Sequence, residues 1–279
     1  RWNMKQKSYD GTPVVYLIPT PIGNIEDITI RALNILKEVA VIFSEDTRVT
    51  KKLLDYYNIS KKLISSHLYN EENNKTKLLE YLKLGKSVAV VSDRGTPVIS
   101  DPGYILAKTA IENNYNTVCL PGPTAFVPAL VMSGLPDKFI FYGFLNSKET
   151  KRKKELENLK QQPFTIIFYE APHRINKTLQ NIKEVFGNRY CAIAREISKK
   201  YEEIIRGDID YLIKETEEIK GEIVLIVEGN KEKHNFENLS IIEHIKLYME
   251  DGLTSKEAIK LVAKERDIPK SEVYNEYHK

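Results

Sequence analysis

Residues 92–103, SDRGTPVISDPG, place two carboxylates (Asp93, Asp101), a guanidinium (Arg94) and three hydroxyls (Ser92, Thr96, Ser100) among prolines and glycines. The carboxylates could hold a divalent cation, but the surrounding Pro and Gly residues favour a stiff loop that offers its backbone to a ligand. Three other segments share this character: TPIGNIED (20–27), SEDTR (44–48) and LPGPTA (120–125). Glu45, Asp46 and Arg48 in the second combine proton acceptors with a cation suited to an anion. Two further groups have the residue types for proton transfer, His67 with Glu71 and Glu170 with His173 and Arg174, and residue type alone does not choose among the three. The SEDTR group is preferred because it follows a strand at the ligand-binding edge.

Two nucleotide signatures are absent, G-x-x-x-x-G-K-[ST] and G-x-G-x-x-G, which argues against an ordinary NTPase or Rossmann dehydrogenase. The five histidines are scattered without cysteines at ligand spacing, so no metal centre is expected. Structural roles compete with chemical ones. Asp93 and Asp101 suit turn or helix capping, Gly95, Gly103 and Gly122 suit positive φ, and His67 and His173 suit surface or structural hydrogen bonding. Glu45, Asp46 and Arg48 likewise suit a salt-bridge cluster at a helix start.

Each of the four loops follows an apolar run. Strands are expected over 14–19, 41–44, 63–66, 88–92 and 117–120, with helices over 28–40, 49–57, 74–84, 104–113 and 125–133. Glu26 and Asp27 would open the first helix, where their charge suits its dipole. That alternation predicts a mostly parallel sheet whose carboxyl-end loops bind ligand. A second series begins near Pro136, with strands over 139–144, 164–169, 190–194 and 222–228 and helices over 151–160, 174–186 and 211–218. The fold class is therefore α/β in two lobes, an N-terminal parallel sheet (1–135) and a C-terminal mixed sheet (136–230), followed by a linker and helical extension (231–279). In the extension, 231–238 reads as a polar linker, and 241–251 and 255–266 as helices.

The 279 residues are 42% hydrophobic, enough for a large core. Net charge is +3 from 42 basic and 39 acidic side chains, so any nucleic-acid surface must be a local patch. LysArgLysLys (151–154) opens a helix between the lobes, and Lys256, Lys260 and Lys264 share one helical face, so both could track phosphates. Near-equal numbers of acidic and basic residues in 231–279 weaken the second case. Cys119 and Cys191 read as two buried free thiols of a reducing compartment, a single disulfide being the lesser alternative. No apolar run approaches the roughly 20 residues that span a bilayer. The N-terminus lacks a signal-peptide core, so a cytoplasmic protein is expected, with Met4 as its natural start.

Taken with YEAPHR (169–174), AREISKKYEE (194–203) and KGEIVLIVEG (220–229), the loop motifs resemble the ribosomal RNA small subunit methyltransferase I family of the tetrapyrrole-methylase superfamily. The similarity runs nearly continuously over 14–230 and more weakly through the C-terminal helices. It implies S-adenosylmethionine folded in a cleft between two α/β domains. It also implies 2′-O-methylation of a cytidine ribose in the decoding region of 16S rRNA, a homodimer, and the 30S subunit or its RNA as partner. By the resemblance, Pro21, Gly23, Asp93, Gly95, Thr96, Ser100, Asp101, Pro121, Gly122, Thr124, Tyr169 and Ala194 would contact the cofactor. Glu45, Asp46 and Arg48 would act on the ribose hydroxyl. Lys151, Arg152, Lys153, Lys154, His173, Arg174, Lys256, Lys260 and Lys264 would face RNA. Two alternatives stand beside this: a superfamily methyltransferase acting on a tetrapyrrole or protein side chain, against which SEDTR, YEAPHR and the C-terminal helices count, and a non-catalytic ribosome- or RNA-binding protein. Family members carry a small residue where this chain has Arg94. Burying an unpaired cation is costly, so Arg94 is expected to point outward, toward RNA phosphate.

Overall fold

The computed structural model describes residues 5–231, 239–250 and 252–278. The chain divides into two compact units, 1–229 and 230–279.

The first unit holds two five-stranded sheets. β1 (Val14–Leu17), β2 (Val41–Ser44), β3 (Leu63–Ser65), β4 (Val88–Val91) and β5 (Asn116–Cys119) pair in the order β3-β2-β4-β1-β5, every pair parallel. These strands are short and apolar on both sides because both faces are covered. α1 (Ile30–Glu38) and α2 (Thr47–Tyr56) bury Ala32, Leu36 and Leu54 against Val14, Ile42 and Ala89. α3 (Lys75–Lys83) and α4 (Tyr104–Glu112) bury Leu78, Leu82 and Leu106 against Val15, Phe43 and Val90 on the opposite face. Glu26 and Asp27 do not open α1: they lie in a separate 3₁₀ turn capped by Asn24, and Thr29 caps α1. A threonine hydroxyl beside the Ala32 N–H satisfies an orphan donor that a dipole charge cannot.

α5 (Phe126–Ser133) ends the first βα series at Gly134, yet it packs on the second sheet, burying Ala129 and Leu130 against Ile167, Ala192, Ala194 and Val224. That sheet contains β6 (Phe139–Phe144), β7 (Thr165–Glu170), β8 (Tyr190–Arg195), β9 (Glu203–Asp208) and β10 (Ile223–Val227), in the order β6-β7-β10-β8-β9. Only β6 and β7 run parallel, so the sheet is mixed. α6 (Glu149–Leu159), α7 (Pro172–Phe186) and α8 (Ile209–Glu215) cover its other face through Leu156, Leu179, Ile182 and Leu212. Strand β9 escapes sequence reading because an edge strand needs one partner and leaves charged positions such as Arg206 exposed, which blurs the alternation.

In the second unit, α9 (Ile241–Glu250), α10 (Ser255–Arg266) and α11 (Lys270–Tyr277) enclose Ile245, Ile259, Val262 and Val273. Thr254 and Glu257 form a capping box that starts α10. α11 goes unanticipated because it buries a single side chain, Val273, and so shows no apolar stripe. The linker expected over 231–238 lies, apart from Lys231, outside the described residues.

Candidate cofactor cavity and its carboxyl cluster

All four loops singled out in the sequence leave the carboxyl ends of the first sheet, and hydrogen bonds tie them to one another. Thr20 and Gly95 exchange two backbone bonds of 2.9 Å, joining the loops after β1 and β4. The Asp46 N–H donates to Asp93 Oδ1 (2.9 Å) and the Asp93 N–H to Glu45 Oε2 (3.0 Å), a reciprocal clasp between the loops after β2 and β4. Thr96 Oγ1 donates to the Pro123 carbonyl at 3.0 Å, which ties in the loop after β5. The 92–103 loop is held in tight curvature, with Gly95, Val98, Ser100 and Gly103 all at positive φ. For a β-branched residue such as Val98 that conformation costs about 1–3 kcal/mol and persists only where surroundings impose it.

The far end of this loop is anchored by Glu71. Its Oε1 accepts from the N–H groups of Gly103 (2.9 Å), Ile105 (3.1 Å) and Leu106 (3.2 Å), so a buried carboxylate caps α4 from another segment of the chain. Glu71 is therefore corrected from candidate base to structural cap. Glu170 is corrected likewise: Oε1 accepts from its neighbour's Ala171 N–H and from Arg174, whose Nη2 lies at 2.7 Å, while Oε2 accepts from Thr178.

Between the loops and the second sheet lies a cavity of about 380 Å³. Gly95, Thr96, Ser100, Asp101, Thr124 and Tyr169 line it as expected, joined by Arg94, Ile22, Ile99, Phe144, Ile197, Glu222 and Ile223. Phe144 arrives through a bulge in β6 at Gly143 (φ 82°), where an added Cβ would stand 3.0 Å from Ser100 Oγ. Both the backbone conformation and the close approach require glycine there. The apolar lining residues went unanticipated, since single Ile and Phe side chains in loops and strand ends carry no pattern.

The remaining expected cofactor residues scatter. Pro21, Gly23 and Asp93 line a second concavity of about 450 Å³, and Gly122 with Thr124 a third of about 430 Å³. Pro121 and Ala194 line none of the three. Ala194 is instead buried beneath α5, its strand position pointing to the core of the second lobe. A Cβ on Gly23 would meet Lys199 Cγ at 2.5 Å, so this glycine admits the second lobe's 197–199 segment.

Of the three residues expected to act on the hydroxyl, two bind each other. Asp46 is the N-cap of α2 and takes Arg48 Nη2 at 2.6 Å, and the Arg48 bonds hold its carboxyl down at about 2. That leaves it a poor base. Burial instead pushes Glu45 and Asp93 up from the usual carboxylate range. It pushes Asp101 up to about 7, helped by the negative charges of Glu45 and Asp93. Among the described residues no hydrogen bond satisfies the Asp101 carboxyl, which faces the cavity.

The raised proton affinity of Asp101 makes stability depend on pH. The folded state holds the Asp101 proton up to about pH 7 against 3.8 for an ordinary aspartate, so stability is lost as pH climbs from about 4 through 7. Asp101→Asn removes that loss. Differential scanning fluorimetry should show the variant melting about 2–4 °C higher than the parent above pH 7, the partly exposed site tempering the gain, with the gap closing toward pH 4.

Arg94 is half exposed, and its guanidinium neither stands free toward solvent nor fills the cavity but pairs with Glu222 of the second lobe, both residues lining the cavity. Glu222 also takes Lys199 at 2.8 Å, and Lys199 takes Glu196 at 2.9 Å, forming a charge ladder at the cavity mouth.

The expected RNA patches fare differently. Helix α6 connects β6 to β7 inside the second lobe and does not run between the lobes. Arg152 is 3% exposed, donating to Asn181 Oδ1 (2.8 Å) and to the carbonyls of Asn146 and Ser147, so it is corrected to a structural residue. Its charge is buried because those three acceptors replace water. Lys153 pairs with Glu184 at 2.7 Å, whereas Lys151 and Lys154 are exposed. His173 is exposed and Arg174 is held by Glu170. Lys256, Lys260 and Lys264 do share an exposed face of α10. Cys119 is exposed, contrary to expectation, because it ends its strand at the sheet edge, while Cys191 is buried and both are free thiols. Among the described residues no helix is long and apolar enough to cross a membrane.

Known proteins resemble the chain in sequence and in fold. The family model for Tetrapyrrole (Corrin/Porphyrin) Methylases matches residues 14–213. The chain is 47% identical to ribosomal RNA small subunit methyltransferase I of Bacillus subtilis (strain 168), over 98% of each chain. It is 45% identical, with the same coverage, to the protein of that name from Halalkalibacterium halodurans. Among solved structures, uroporphyrin-III-C-methyltransferase from Thermus thermophilus superimposes with a TM-score of 0.56 at 19% identity, covering 77% of this chain and 94% of that one. A further structure of that enzyme, complexed with S-adenyl homocysteine, gives 0.55 at 18% identity over 77% and 96%.

Proposed function

The chain belongs to the tetrapyrrole (corrin/porphyrin) methylases, and we propose that it is an S-adenosylmethionine-dependent methyltransferase acting on the ribose 2′-oxygen of a cytidine in the decoding region of 16S rRNA. The observation that carries this reading is the convergence of Pro/Gly loops on one cavity beside an unpaired carboxyl. Near full-length similarity to proteins named for small-subunit rRNA supports the substrate class.

The residues fit the cofactor. Backbone of the 92–103 loop, Thr124 and Tyr169 offer polar groups, while Ile22, Phe144 and Ile197 offer apolar surface for an adenine and a thioether chain. When bound, S-adenosylmethionine supplies an electrophilic methyl group, the electrons of the broken C–S bond staying on sulfur. Asp101 takes the 2′-hydroxyl proton as the new O–CH₃ bond forms: of the carboxyls lining the cavity, Glu170 is held by Arg174 and Thr178 and Glu222 by Arg94 and Lys199, whereas Asp101 has no such partner among the described residues and titrates near neutral pH. Glu45 and Asp93 raise its proton affinity. Asp46 and Arg48 hold the start of α2, and with it the clasp that fixes Asp93.

Lys256, Lys260 and Lys264 form the basic face offered to RNA, with Lys151 and Lys154 as a smaller patch. The cytoplasm and a homodimer complete the proposal, and the lobes are proposed to divide near residue 135. Methyl transfer to 30S subunits, with the product read by nucleoside mass spectrometry, tests the reading. A 2′-O-methylcytidine is expected, and a methyl on a base or on no nucleoside would refute it.

A further inference from the structure

Beside the cofactor cavity, on the other side of the Thr20–Gly95 bridge, lies the concavity of about 450 Å³ between α2 and the loops after β1 and β4. Arg94 lines both. Resting on the methyl-transfer reading above, we infer that this second concavity holds the RNA nucleotide next to the methylated one, its base stacked on Tyr56 and its phosphate on Lys52, Arg94 and Lys199.

The chemistry of the lining selects that occupant. Lys52, Arg94 and Lys199 bring three cationic donors to the concavity, Arg94 and Lys199 shared with Glu222 and Glu196, and Asp93 is the one carboxylate in its lining. Lys52 is exposed on α2 and makes no ion pair among the described residues. Tyr56 leaves 61% of its surface in water, so its ring is open to a ligand in the concavity. It is also pre-positioned: Tyr57 holds it edge to face at 5.0 Å, and the Tyr57 hydroxyl is pinned to the Ile25 carbonyl at 2.7 Å. An aromatic platform beside lysines is how proteins hold single-stranded RNA without reading sequence. A target ribose at the mouth of the cofactor cavity has its neighbour one phosphate away. Arg94, common to both sites, stands where that phosphate must pass.

Equilibrium binding of the full chain to unmethylated 30S subunits, without cofactor, tests the inference. Tyr56→Ala is expected to bind at least about tenfold more weakly, and Tyr56→Trp to recover wild-type affinity, because stacking needs a ring and not a hydroxyl. Lys52→Ala should reduce the slope of log affinity against log salt by about one phosphate contact. S-adenosylhomocysteine affinity should stay unchanged in all three, showing the fold and first cavity intact. If Tyr56→Ala and Lys52→Ala bind 30S as the parent does, while the parent methylates 30S, this inference is wrong and the methyl-transfer reading stands. If the parent transfers no methyl to 30S, that reading fails and the inference falls with it.

Discussion

Asp101→Asn is expected to cut methyl transfer to 30S subunits by roughly 10²–10⁴-fold while leaving S-adenosylhomocysteine affinity little changed. Asparagine keeps the shape and polarity of the side chain but cannot take a proton. The pH profile separates this role from a merely structural one. A base must be ionised, so kcat/KM of the parent should rise with pH up to a plateau above about 7, where Asp101 titrates in the free enzyme. A sulfonium in the same cavity favours the ionised carboxylate, so the corresponding limb in kcat should lie at lower pH. Asp101→Asn should lose the limb altogether. Glu45→Gln should keep it but move it downward, since the Glu45 charge is one of the causes that raise Asp101. Equal loss of rate at every pH in Asp101→Asn, with the limb retained, would assign the base elsewhere.

Glu71→Ala is expected to cost stability about 3–5 kcal/mol, because it leaves three N–H groups at the start of α4 without an acceptor, those of Gly103 and Leu106 in a buried setting. For a chain of this size that corresponds to on the order of 10 °C in melting temperature. Glu71→Gln keeps one carbonyl oxygen toward the same donors and should lose distinctly less. The effect should extend to binding, because Gly103 closes the loop that carries Asp101. Calorimetry should therefore find S-adenosylhomocysteine affinity reduced in Glu71→Gln even at temperatures where the protein is fully folded. A melting temperature unchanged in Glu71→Ala would mean that α4 finds another cap.

Much of this was legible in the residues. The strand-then-loop order of TPIGNIED, SEDTR, SDRGTPVISDPG and LPGPTA marks the ligand edge without any tertiary information, since β-branched apolar runs and Pro/Gly punctuation are local signals. Gly95, Thr96, Ser100, Asp101, Thr124 and Tyr169 all line the cavity. Arg152 and Glu71 were misread for a common reason. A charged side chain inside a charged or polar stretch looks solvated, and nothing local reveals that Asn181 or the end of α4 waits to receive it.

The sequence by itself determined the α/β alternation, the two sheets and the loops that carry chemistry, because each depends on periodicity within about a dozen residues. Tertiary structure alone decided which carboxyl is unpaired. Asp46 is satisfied by a residue two positions away, but the proton affinity of Asp101 comes from burial and from Glu45 and Asp93, which the order β2-β4 brings beside it. The direction of Arg94 was decided in the same way, by Glu222, 128 residues further along the chain. Electrostatic energy depends on distance and solvent exposure in space, and chain separation fixes neither.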